Sequence, residues 1–159
     1  MAISPNTTFS AGAIFTANQA NAYPFGVCAS SSSTTNYTLT TTVTIATGMT
    51  ATFTAITDRL YKITYYEPQA GITSTLNGYT VLQIRQTSAT GTQLQLGIAQ
   101  NQAAVGSSAS INLVHVGTFT AGSVTVVGCA STSSVTGAPT LTRGATTVAR
   151  FLVEDIGPS

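Results

Sequence analysis

Charge is what this sequence has least of. Lys and Arg number five and Asp and Glu four in 159 residues, 6% of the chain, where an ordinary soluble domain carries about 25%. Acid–base catalysis, phosphate handling and metal ligation all draw on residue types that are nearly missing. Trp is absent and His occurs once, at His115. The cations Arg59, Lys62, Arg85, Arg143 and Arg150 are scattered, which leaves no basic footprint for nucleic acid. No apolar run approaches the roughly 18 residues that cross a bilayer, so no membrane partner is expected. The start, Met1-Ala2-Ile3-Ser4-Pro5, lacks a basic n-region and an apolar h-region, so no signal peptide is expected.

What fills the space is hydroxyl and small apolar side chains. Nearly a third of the residues are Ser or Thr, and 43% are hydrophobic. That apolar share supports a packed core, and low charge with moderate hydrophobicity is not the composition of a disordered chain. The length suits one domain, here residues 27–159, preceded by an arm at 1–26. Within the arm, Thr16 stands as an N-cap before a short Ala-rich turn that Pro24 and Gly26 end. Phe9, Ile14, Phe15, Tyr23 and Phe25 are large apolar groups on a segment too short to build its own core. They are the candidate anchoring or interface residues, folded back on the domain or docked on a neighbouring subunit or host surface. The cysteines lie in matching settings, Gly26-Val27-Cys28-Ala29-Ser30 and Val127-Gly128-Cys129-Ala130-Ser131. Small apolar neighbours predict buried free thiols. The competing reading is a disulfide from the start of the domain to a late strand, which a reducing compartment disfavours.

From Asn36 the pattern has period two, the signature of strand. Leu39, Thr41, Val43 and Ile45 are expected on one face, with Gly48 breaking the run. Thr50–Ile56 follows, then Asp58-Arg59 as a hairpin turn into Leu60–Glu67, where Tyr61, Ile63 and Tyr65 share a face and Pro68 ends the strand. Further strands are expected at Tyr79–Gln86, Gln93–Ala99, Ser110–Phe119, Ser123–Ala130 and Val148–Ile156. In Gln93–Ala99, Leu94, Leu96 and Ile98 alternate against Gln. About eight strands and no long helix predict an all-β fold: a single antiparallel β-sandwich, jelly-roll-like, with an extended N-terminal arm. Natural sheets guard open edges with charge, especially Lys. A many-stranded chain almost without edge charge should have its edges and neutral faces covered, most simply by identical subunits, and a homotrimer is expected.

Candidate chemistry is thin. Asp58 belongs to its turn, Glu67 is expected in solvent before Pro68, and Glu154 and Asp155, adjacent on a strand, point to opposite faces. Glu154-Asp155 has Arg59 and Arg150 as possible ion partners. His115 in Leu113-Val114-His115-Val116 reads as a core or interface histidine. No nucleophile elbow or phosphate loop occurs, so no catalytic residue, cofactor or metal is expected. Tyr61 and Tyr65 read as core; Tyr66 and Tyr79 are the candidate receptor contacts, able to stack on a sugar.

Three segments bring a family to mind. Phe9-x-Ala11-Gly12-x-Ile14-x-Thr16-Ala17 with Asn21-Ala22-x-Pro24-x-Gly26-Val27 resembles the start of small tailed-phage virion proteins, often labelled minor tail proteins. The block Phe53-Thr54-Ala55-Ile56-Thr57-Asp58-Arg59-Leu60-Tyr61-Lys62-Ile63-Thr64-Tyr65 is similar to their early strands, and Val153-Glu154-Asp155-Ile156-Gly157-Pro158 to their terminus. The resemblance implies a non-enzymatic virion component made in the bacterial cytoplasm without export and placed on the particle surface. A compact domain with an apolar arm, lacking a shaft, fits a homotrimeric capsid decoration (cement) protein or short head fibre. Its arm would anchor to other virion proteins, foremost the major capsid protein. The alternatives are a minor tail or fibre-tip protein that binds a host receptor, and a secreted adhesin-type module, which an oxidised Cys28–Cys129 pair would support.

Overall fold

A computed structural model describes residues 23–71, 78–100, 108–136 and 138–159. Ten strands lie within them: β1 Gly26–Ser33, β2 Tyr37–Thr38, β3 Thr44–Ala55, β4 Arg59–Gly71, β5 Tyr79–Gln86, β6 Gln93–Gln100, β7 Ser108–Gly117, β8 Gly122–Thr132, β9 Thr140–Leu141 and β10 Ala149–Pro158. One sheet runs β1-β10-β4 and continues to β7, with β9 and β2 extending it beside the end of β4; the other runs β3-β8-β5-β6. All pairings are antiparallel. Leaving aside the two-residue strands, the eight long ones divide into β1-β10-β4-β7 and β3-β8-β5-β6, a jelly-roll order in which every connection but β5–β6 crosses between the sheets. The β-sandwich expected from the sequence is therefore the fold.

Strand alternation makes the core. Tyr61, Ile63 and Tyr65 of β4 meet Phe151 and Val153 of β10, and Leu82, Ile84, Val124 and Val126 come from the facing sheet, all with at most 6% exposure. Phe53 and Tyr61 pack with ring centroids 4.9 Å apart, and Tyr65 lies edge-on to Phe151 at 5.6 Å. Each such side chain contributes about 1.5–3 kcal/mol by burial.

Several expectations need correction. Asp58, at φ 58°, turns no hairpin: β3 and β4 belong to different sheets, so it turns a corner between them. At Ala121-Gly122 the chain likewise passes from β7 in one sheet to β8 in the other. Short polar turns serve both purposes, and only the pairing distinguishes them. Pro68 does not stop β4, which passes it through a register shift between Glu67 and Ala70 and exchanges β10 for β9 as partner. A bulge is where a residue without N–H is tolerated. Gly48 likewise does not break a strand but sits in the irregularity between Ile45 and Thr50 of β3, at φ 77°. The stretch before it is not one strand, since Leu39 is buried and Ile45 exposed. The strand β1, Ser-rich and without alternation, has no counterpart among the expected strands. The Thr16 cap, Phe9, Ile14 and Phe15 lie outside the described residues.

Candidate functional site

Two buried ion pairs organise the ends of the sandwich. At the pole where β4 begins, Arg59 donates from Nε to Asp155 Oδ2 at 2.8 Å and also to Oδ1, with both side chains almost wholly buried. The same guanidinium donates to the Tyr23 carbonyl at 2.7 Å and lies 4.0 Å from the centroid of the Phe25 ring. Phe25 stays 55% exposed. The chain therefore enters the domain across Arg59, fastened by its backbone at Tyr23 and by a cation–π contact at Phe25. Asp155 Oδ1 also accepts from Gly157 N at 2.9 Å, and Ser159 N donates to Asp58 O at 2.9 Å, so the chain end is tied down at this pole too. Beside it, Thr57, Asp58, Phe119, Ala121 and Ser159 line an open cleft of about 530 Å³ with mixed polar and apolar walls.

Toward the other pole, Glu67 is fully buried, contrary to the solvent position expected of it. The bulge at Pro68 keeps β4 in the sheet, so Glu67 follows Tyr65 inward. Its carboxylate accepts from Arg143 Nε at 3.0 Å, from Arg143 Nη2 and from Tyr65 Oη at 2.7 Å. Arg143 further donates to the Thr47 carbonyl at 2.8 Å and to that of Thr35. Burial, then the Glu67 charge, pushes the Tyr65 hydroxyl well above its ordinary pKa. Glu154 pairs with Lys62 at 2.9 Å on the partly exposed outer face. Thus Glu67, Glu154 and Asp155 each hold one cation. Among the described residues no group of three or more His, Cys, Asp or Glu is placed to hold a metal.

His115 is half-buried with its ring centroid 6.4 Å from that of Phe119, and desolvation lowers its pKa. Both cysteines are free thiols. Cys129 is buried, which pushes its pKa up to about 11. Cys28 is exposed, because it falls at the register shift of edge strand β1 and leaves the ladder. The expectation of burial therefore fails for Cys28.

The outer faces differ. Register aligns Val116, Lys62, Glu154 and Val27 across the β7-β4-β10-β1 face, with Asn112, Tyr66, Arg150 and Ser32 in a parallel row. On the other sheet, Ile45 aligns with Cys129, Gln83 and Leu96, and Ser131 with Val81 and Ile98. Ile98 is 60%, Tyr79 45% and Leu96 39% exposed. Leu96 and Ile98 thus face solvent. Gly97 faces the core instead because Leu113 of β7 occupies that space: a Cβ there would lie 2.3 Å from Leu113 Cδ2. Among the described residues the only formal charge on this face is Arg85, which donates to Gln83 Oε1 and to the Gly91 carbonyl. Tyr66 and Tyr79, the candidate receptor contacts, fall on opposite sheets.

No protein-family model and no curated protein matches the sequence. Among solved structures, the chain is similar to the carbohydrate-binding module CsCBM6-3 of Clostridium stercorarium, solved in complex with cellobiose. The identity is 12% and the TM-score 0.29, over 79% of this chain and 87% of that one. It is also similar, at 16% identity and a TM-score of 0.31 over 92% of this chain and 98% of that one, to a chain from Bacillus endospore appendages, described as a novel family of disulfide-linked pili.

Proposed function

We propose that this chain is a non-enzymatic structural subunit of a phage particle: a homotrimeric capsid decoration or short head-fibre protein held to the shell by residues 1–26. The observation that carries the reading is the chain entry at Arg59. An apolar segment is fastened to a charge-poor sandwich by a buried ion pair, and Phe25 remains exposed at the fastening point. A rigid body with a fixed exit for a sticky leader suits attachment better than turnover. The committed carboxylates support the same reading, since no two of them are left to share acid–base work.

The test is co-sedimentation with particles that lack the protein. The full chain is expected to bind, while a chain without residues 1–22 remains a folded oligomer in solution and stays in the supernatant. Binding that survives the deletion, or a deletion that cannot fold, overturns the anchoring role. The second reading, receptor binding at a tail tip, draws on Tyr79, which is 45% exposed. It requires glycan-array binding that is lost in Tyr79→Ala.

A further inference from the structure

We propose that the row of outward side chains Asn112, Tyr66, Arg150 and Ser32 on the β7-β4-β10-β1 sheet binds an acidic sugar, a pyranose bearing a carboxylate. The site is separate from the attachment of the chain to a particle and does not rest on it.

Four of the five cations are committed. Arg59 holds Asp155, Lys62 holds Glu154 and Arg143 holds Glu67, while Arg85 donates to Gln83 Oε1 and to the Gly91 carbonyl. Arg150 is exposed and makes neither an ion pair nor a side-chain hydrogen bond among the described residues. The outward carboxylate of its own strand, Glu154, lies four residues along, about 13 Å away, and is taken by Lys62. A guanidinium left open in this way offers its planar fork to a carboxylate.

Its neighbours indicate what carries that carboxylate. Antiparallel register sets Tyr66 opposite Arg150, Asn112 opposite Tyr66 and Ser32 opposite Arg150. Tyr66 points outward because Tyr65, beside it in β4, is buried in the core. It is half-buried, and its hydroxyl, like the Asn112 amide, has no hydrogen-bond partner among the described residues. An aromatic ring takes the C–H face of a sugar, and amide and hydroxyl groups match sugar hydroxyls as both donors and acceptors. Strands about 4.8 Å apart make the row about 14 Å long, the reach of a short oligosaccharide lying across the strands. A nucleic acid would need several cations along its path, and the row has one. A small inorganic anion would use Arg150 and leave Tyr66 and Asn112 idle. An extended peptide would add along a sheet edge, whereas the row crosses the strands.

The experiment screens the full chain against immobilised oligosaccharides, some ending in a uronate or sialate and others their neutral counterparts. Titration calorimetry with the tightest acidic sugar follows. The wild type is expected to prefer the acidic sugars. Arg150→Gln should weaken that binding by about 10-fold or more and erase the preference. Tyr66→Ala should weaken acidic and neutral binding alike, and Tyr79→Ala, on the opposite sheet, should change neither. No acidic-sugar binding, an affinity indifferent to Arg150→Gln and Tyr66→Ala, or a loss in Tyr79→Ala overturns the proposal. Where thermal melts show that a variant fails to fold, amide shifts of the wild type on adding the sugar decide. Shifts centred on Tyr66 and Arg150 support the site, and shifts elsewhere overturn it. Arg150→Gln is expected to co-sediment with particles as the wild type does; loss of that binding also overturns the proposal, since the row then meets the shell. A full chain that binds the sugar but no particle leaves this site standing and removes only the structural role.

Discussion

Arg143 is the side chain most dependent on its surroundings. It has no exposure, and it links Glu67 of β4 to the Thr35 and Thr47 carbonyls. Burying two charges costs several kcal/mol each, offset only when every donor is matched, and removing one partner strands the other. Glu67→Ala is therefore expected to lose about 3–5 kcal/mol in urea unfolding, with part of that recovered in Glu67→Leu/Arg143→Met. His115 gives a second residue-level prediction. Desolvation holds its folded pKa below the ordinary 6.5, against a hydrogen bond with the Leu94 backbone that acts the other way. Its contribution to stability is full above pH 6.5 and is lost as pH falls through the folded pKa, because the unfolded chain binds the proton more readily. Melting temperatures of the wild type should fall more steeply below pH 6.5 than those of His115→Gln.

Gly48 shows what the strands demand of single positions. Its φ of 77° lies in the left-handed region, and an added Cβ would stand 3.0 Å from Ser33 Cβ of β1. Gly48→Ala is expected to destabilise by about 1–3 kcal/mol in chemical denaturation, with the loss traced to the β1·β3 contact by faster amide exchange in β1. In the sequence, Gly48 reads as a strand end, since glycine punctuates both breaks and bulges. The alternating Tyr61, Ile63 and Tyr65 were legible because β4 is central and buried on one side only. The inward side of β6 was not, because its small residues answer to Leu113, which lies in another strand and another sheet. The strand β1 was invisible because its pairing is supplied by β10, whose Phe151 and Val153 carry the apolar burial. The hairpin expected at Asp58 failed for a similar reason: local turn chemistry does not encode which sheet the next strand joins.

At the scale of the molecule, the sequence set Arg59 and Arg150 against Glu154-Asp155, but which cation pairs with which carboxylate was not readable, nor was the contact of Arg59 with Tyr23 and Phe25. Arg59 and Asp155 are 96 residues apart, and only the β10–β4 register brings them together. Because Ser159 is tied to Asp58 beside this entry, a bulky C-terminal fusion is expected to obstruct particle binding in co-sedimentation, whereas a short one-turn peptide inserted between Gly71 and Tyr79 should leave it unchanged. The sandwich thus has polarity. Both described chain ends share one pole, while the strand ends at Gly71, Tyr79, Gln100, Ser108 and Thr132 lie at the other. If the leader holds the first pole against a shell, foreign epitopes spliced into the distant connections face the medium, repeated at every copy: the architecture of a display scaffold, in which cargo belongs in the loops and never at the terminus.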